Sequence, residues 1–144
     1  MHAMRHTGLA AVIGVALLAG CSSMGAMMHG GEKVALSGQN EVPAAATSAS
    51  GSGTVTVASD CSVKASISVT GMAATAAHIH QGKAGANGPV IVPFTKSGEN
   101  AFVAADGAKM NEAQCAAYRA GDTYVNVHSE KYKGGEVRAQ LKGS

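Results

Sequence analysis

The feature that most restricts what this chain can become is a set of short runs in which apolar residues recur at every second position. In Ser62–Val69 the apolar residues are Val63, Ala65, Ile67 and Val69, and Ser62, Lys64, Ser66 and Ser68 alternate with them. A period of two puts one set on each face of an extended strand, one buried and one wet. Gly53–Val57 alternates in the same way, and Ser59-Asp60 supplies a turn, so the two runs predict a hairpin with Cys61 at the start of its second arm. Val34–Gly38 predicts a first edge strand, and Pro43 after it lacks the N–H that a central strand position needs. Ala73–His80, Val90–Phe94, Ala101–Ala104, Thr123–Ser129 and Gly135–Leu141 complete the set, with glycine-rich or polar turns between them. One helix is predicted, Met110–Ala120, with Asn111 as N-cap, Gln114 three residues on, and Gly121 to end it. Seven or eight short strands and one short helix predict an all-β fold, a Greek-key-like β-sandwich. With no Trp, three Tyr and two Phe, its core must be built mainly from Val, Ile, Ala and Met.

Chemistry concentrates on two of these strands. His78 and His80 are two residues apart in Ala77-His78-Ile79-His80, so they share a face while Ala77 and Ile79 point into the core. In Tyr124-Val125-Asn126-Val127-His128 the two valines take one face, and Asn126 and His128 take the other. Three imidazoles on strand faces form a candidate site for copper, with zinc as the alternative. A fourth ligand could come from water, Glu41, Met72 or His29. The competing expectation is that the histidines only brace the long turn Gln81–Pro89 through hydrogen bonds to backbone carbonyls. Glu136 and Arg138 share a strand face. Together with Glu41 they are expected either to orient a histidine or, as the favoured reading, to form a Glu–Arg ion pair that pins the first loop to the last strand.

Several function classes find no support. A net charge of +2 without a basic cluster, and aromatics without basic neighbours, give no platform for nucleic acid. No serine or cysteine sits in a triad setting, and no helix follows the glycines of Gly82–Gly88 to make a phosphate loop, so the chain does not read as an enzyme in the first instance.

The N-terminal residues read as a leader. Met1–Thr7 carries Arg5, and Gly8–Ala19 is free of charge but too short to span a bilayer. Leu18-Ala19-Gly20-Cys21 resembles a bacterial lipobox. That resemblance implies a signal peptide over 1–20, lipidation of Cys21 and a membrane anchor in the cell envelope. Ser22 after the cysteine resembles lipoproteins sorted to the outer membrane, facing the periplasm. Residues 21–32 then read as a flexible Met- and Gly-rich linker. Its Met24, Met27, Met28 and His29 could capture soft metal ions, although a low-complexity tether explains them as well. With Cys21 lipidated, Cys61 and Cys115 remain as one pair in an oxidising compartment, where a disulfide closing a loop of about 54 residues contributes roughly 4 kcal/mol.

Five motifs in order carry a broader resemblance: Asn40-Glu41-Val42-Pro43, Ala77–Gly82, Gly85–Val90, Tyr124–His128 and Gly135-Glu136-Val137-Arg138. Over Val34–Leu141 the chain resembles the CHRD domain, a module named from repeats in chordin and also found alone in bacterial exported proteins. The resemblance implies an all-β extracellular domain over residues 33–144 and says little about activity. A weaker similarity links His78, His80 and His128 to the copper site of copper/zinc superoxide dismutases. Those enzymes need further histidines and an aspartate for zinc, and outside the leader only His29 is left over. The expectation is therefore an envelope protein that binds copper for sequestration, delivery or protection, with a metal donor or acceptor protein as partner. The alternatives are a structural or protein-interaction module, and a copper-only dismutase-like enzyme in which Arg138 or Lys83 guides an anion.

Overall fold

The computed structural model describes residues 30–143. The expected leader over 1–20, the lipidation candidate Cys21, and Met24, Met27, Met28 and His29 lie outside the described residues.

Eight strands and one helix follow in the order anticipated. They are β1 (Glu32–Ser37), β2 (Ser50–Val57), β3 (Val63–Thr70), β4 (Ala74–Gln81), β5 (Val90–Gly98), β6 (Ala101–Ala104), α1 (Glu112–Arg119), β7 (Thr123–Ser129) and β8 (Val137–Leu141). All neighbours pair antiparallel, in the order β1-β2-β3-β6-β5-β4-β7-β8, and Ser37 meets Arg138 to close the ring. The fold is all-β, and its strands close into one barrel. β7 returns beside β4 after the meander β4-β5-β6, which is a Greek key. The Ser37–Arg138 pair joins the first and last strands of the ring, and joining them limits the exposed edge that is the main liability of a small β-domain.

Period-two alternation decides the interior. Val55, Ile67, Ile79, Val92, Phe102, Val125, Val127, Val137 and Leu141 are all at 2% exposure or less and form one cluster. β2 and β3 make the predicted hairpin, with Val57 opposite Val63. β5 runs on to Gly98 beyond the expected Phe94, because β6 pairs with it through a register shift between Lys96 and Gly98. The helix is one turn shorter than its sequence limits but carries the full capping box. Asn111 Oδ1 accepts from the Gln114 N–H at 2.8 Å, and Gln114 Oε1 accepts from the Asn111 N–H at 2.9 Å. Cys61 and Cys115 are bridged, which ties the β2–β3 turn to α1 across 54 residues.

The outer face of β4, β7 and β8 is also covered. His78 stands opposite Asn126, and His80 opposite Tyr124; Asn126 and Tyr124 in turn oppose Arg138 and Gln140. Loops lie over these outward side chains, so β7 is buried on both faces from Thr123 to Val127. The candidate site sits on this covered outer face and not inside the barrel.

Candidate metal centre

His78 and His80 leave β4 on its outer side, and His128 leaves β7 on the same side, next to them. One ring nitrogen from each of the three residues lies within 4.8 Å of the other two, and among the described residues no carboxylate or thiolate joins the group. His78 Nδ1 and His128 Nε2 share a hydrogen bond at 3.0 Å, a contact that an ion between them would replace. Two imidazole nitrogens on one ion, each about 2.0–2.1 Å from it, stand roughly that far apart. The strand alternation therefore brings together all three histidines that the sequence singled out.

The backbone decides which nitrogen carries the hydrogen in two of the three rings. Gly88 O lies 2.9 Å from His80 Nδ1, and Lys133 O lies 2.9 Å from His128 Nδ1. A carbonyl only accepts, so both Nδ1 atoms carry the hydrogen, and in neutral rings both Nε2 atoms present lone pairs. For His78 and His80 neutrality follows from the surroundings. Burial, together with the His128 and His80 rings, pushes His78 down to about 4. Burial pushes His80 down too, helped by His128 and Arg138 and opposed by the Gly88 carbonyl and Asn126. His80 Nε2 is buried and has no hydrogen-bond partner. The chemistry of the donor set thus fits a metal ion: three imidazoles, two of them oriented from behind by carbonyls, as metal-bound histidines usually are.

A cationic stack supports His80. The His80 ring lies parallel to Tyr124 with centroids 4.9 Å apart, and the Arg138 guanidinium carbon is 3.9 Å from the centre of the Tyr124 ring. β7 runs between β4 and β8, which sets Tyr124 between the other two side chains. The Tyr124 hydroxyl accepts from the Gly88 N–H at 3.1 Å. Arg138 also donates from Nη1 to Ala86 O at 3.0 Å and from Nη2 to Asn87 Oδ1 at 2.6 Å. The loop between β4 and β5 is therefore held by His80, Tyr124 and Arg138 together.

The carboxylates separate. Glu41 pairs with Arg138 in a buried contact at 2.9 Å, as the ion-pair expectation had it. Burial raises the Glu41 carboxyl, and the Arg138 charge and then Asn126 oppose that rise. Both Arg138 donors converge on the one oxygen Oε2, so the two-oxygen bidentate geometry is not formed. Glu136 makes no pair with Arg138. It accepts from Thr47 Oγ1 at 2.6 Å and from Ser129 Oγ, tying the loop before β2 to the turn after β7. Met72 packs against the core and stands outside the histidine group. Arg138 is enclosed at 3% exposure and fully engaged, whereas Lys83 is exposed.

Sequence reasoning missed Tyr124 and the carbonyls of Gly88 and Lys133. Tyr124 shares a face with Asn126 and His128 at spacings of two, so the strand pattern carried that signal. The carbonyls carry none, because the backbone of a turn is aimed by the tertiary fold.

No curated protein and no solved structure matches the chain significantly. The CHRD domain family matches residues 33–141, from the second residue of β1 to the last of β8. The span takes in the whole barrel and all three histidines, and the chain belongs to the CHRD domain family.

Proposed function

We propose that this domain binds one transition-metal ion through His78 Nδ1, His80 Nε2 and His128 Nε2, and that the ion is copper. The observation that carries the reading is the bare, buried Nε2 of His80, whose ring is fixed by Gly88 O on its far side. A buried acceptor without a donor costs about 1–3 kcal/mol, and a cation offsets that cost. Imidazole suits copper and zinc alike, and copper stands above zinc in divalent affinity. The methionines of the linker tilt the choice the same way. Lipidation at Cys21 and residence in the cell envelope belong to the same proposal and rest on residues 1–21. The role is sequestration, delivery or protection there.

Calorimetric titration of the soluble chain from Ser22 onward with copper tests the reading, with His80→Ala as the control. One-to-one binding lost in the control supports it. No binding to the unaltered chain sinks it. The bracing role is the second reading, and the His80–Gly88 contact favours it; it requires a folded protein indifferent to chelators. A dismutase-like reading draws less support, because Arg138 is enclosed and engaged, which leaves Lys83 as the charge to guide an anion.

A further inference from the structure

Asn126 sits in the middle of the histidine patch. Ala76, His78 and His80 on β4 stand opposite His128, Asn126 and Tyr124 on β7. Asn126 therefore faces His78 across the ladder and has His128 and Tyr124 on either side along its own strand. It is 1% exposed.

The two ends of its amide are in different situations. Nδ2 donates to Gly134 O at 3.4 Å. A Cβ placed on Gly135 would come within 2.3 Å of Asn126 Nδ2 and 2.6 Å of Glu41 Oε1, so the amide nitrogen lies on the side of Glu41. Oδ1 is buried and has no donor. His80 Nε2, on the neighbouring strand, is buried and without a donor as well. Asn126 makes a side-chain contact with the His80 ring that favours the charged form of the ring. With Nδ1 carrying the hydrogen in the neutral ring, Nε2 and Oδ1 are both acceptors and do not satisfy each other. Two orphaned acceptors on one covered patch are costly when nothing electron-poor lies beside them. A metal ion among the histidines would satisfy both.

We propose that Asn126 Oδ1 is a fourth protein donor to this ion, making the site three nitrogens and one amide oxygen. The proposal rests on the three-histidine reading and narrows it. A carbonyl-type oxygen is a hard donor, so the set selects a divalent ion, Cu(II) or Zn(II), over Cu(I). Asn126 then has two roles: its nitrogen faces Glu41 and the Gly134 carbonyl, and its oxygen faces the metal.

The test uses Co(II) as a spectroscopic probe of the soluble chain from Ser22 onward, with visible absorption and calorimetric affinity as readouts. Cu(II) paramagnetic resonance is recorded alongside. Asn126→Ala, Asn126→Asp and His80→Ala are compared, each checked for fold by circular dichroism. Asn126→Ala is expected to weaken Co(II) binding by about 10–100-fold and to change the visible band. Asn126→Asp keeps the oxygen, adds charge and loses the nitrogen donor. It is expected to bind Co(II) at least as tightly as the unaltered chain, despite facing Glu41. Asp is the closer match in shape, so it carries the test if the alanine variant does not fold. The proposal is overturned if Asn126→Ala matches the unaltered chain in affinity and spectrum. It is equally overturned if Asn126→Asp binds as weakly as Asn126→Ala, since the side chain would then only brace the loop through Nδ2. Binding that is lost in His80→Ala but unchanged in both Asn126 variants sinks this inference alone. Absence of Co(II) and Cu(II) binding in the unaltered chain sinks the three-histidine reading and this inference with it.

Discussion

Arg138 directs Nε and Nη2 at a single oxygen, Oε2 of Glu41, at 3.0 and 2.9 Å, across 97 positions of sequence. The contact joins the loop after β1 to β8, and both side chains are 3% exposed. Removing one partner of a buried pair strands the other charge, at a cost of about 3–5 kcal/mol. Glu41→Ala should therefore lower the free energy of urea unfolding by that amount. The double substitution Glu41→Leu, Arg138→Met should cost less than the single one, because no charge is left unpaired. A double variant at least as unstable as Glu41→Ala would show that the pair contributes more than mutual neutralisation.

Gly88 is fixed by close approach. A Cβ there would meet Gln81 O at 1.6 Å, a backbone atom that cannot move aside cheaply. Gly88→Ala should displace the carbonyl that orients His80 and the N–H that holds Tyr124. We expect a loss of about 10–100-fold in copper affinity while the far side of the barrel stays folded. Calorimetry combined with amide exchange would check this. Unchanged affinity in a folded variant would argue that the Gly88 carbonyl does not set the His80 tautomer.

Acid should destabilise the metal-free domain. His78 titrates at about 4 in the folded state, and His80 is also pushed down. The unfolded chain takes up these protons near the ordinary histidine pKa of about 6.5. The unfolded state therefore binds more protons between these values, and stability rises with pH across that window. The contribution is fully present above about 6.5 and is lost as pH falls towards 4. Urea midpoints measured from pH 4 to pH 8 should fall on the acid side, and less steeply in His78→Ala. Equal slopes in the two proteins would remove His78 as the cause.

Reduction of the Cys61–Cys115 bridge should cost about 4 kcal/mol in the chain-entropy account of a 54-residue loop. Cys61→Ser with Cys115→Ser should lower the urea midpoint accordingly and leave copper binding intact below the transition, since the bridge lies at α1 and not among the histidines. Copper binding lost in a variant that still folds would contradict that separation.

Much of this protein is determined by its residue order alone. Alternation in Ser62–Val69 and Thr123–Ser129 settled which side chains enter the core, because the two-residue period of a strand is a local property. The same period put His78 with His80, and Asn126 with His128, on one face each. The capping box at Asn111 and Gln114 was legible for a similar reason, being closed within four residues. What the order of residues did not determine is which strands become neighbours. The Greek-key return of β7 beside β4 brings His128 to His78 across 50 positions, and no local pattern encodes that pairing. Closure of the strands into one barrel and the convergence of Arg138 on one oxygen of Glu41 are likewise long-range outcomes. So is the aim of the Gly88 and Lys133 carbonyls at the backs of two imidazoles. Sequence set the donors on their faces; only packing of distant segments decided which lone pairs meet, because a ring nitrogen's hydrogen is fixed by whatever atom the fold puts behind it.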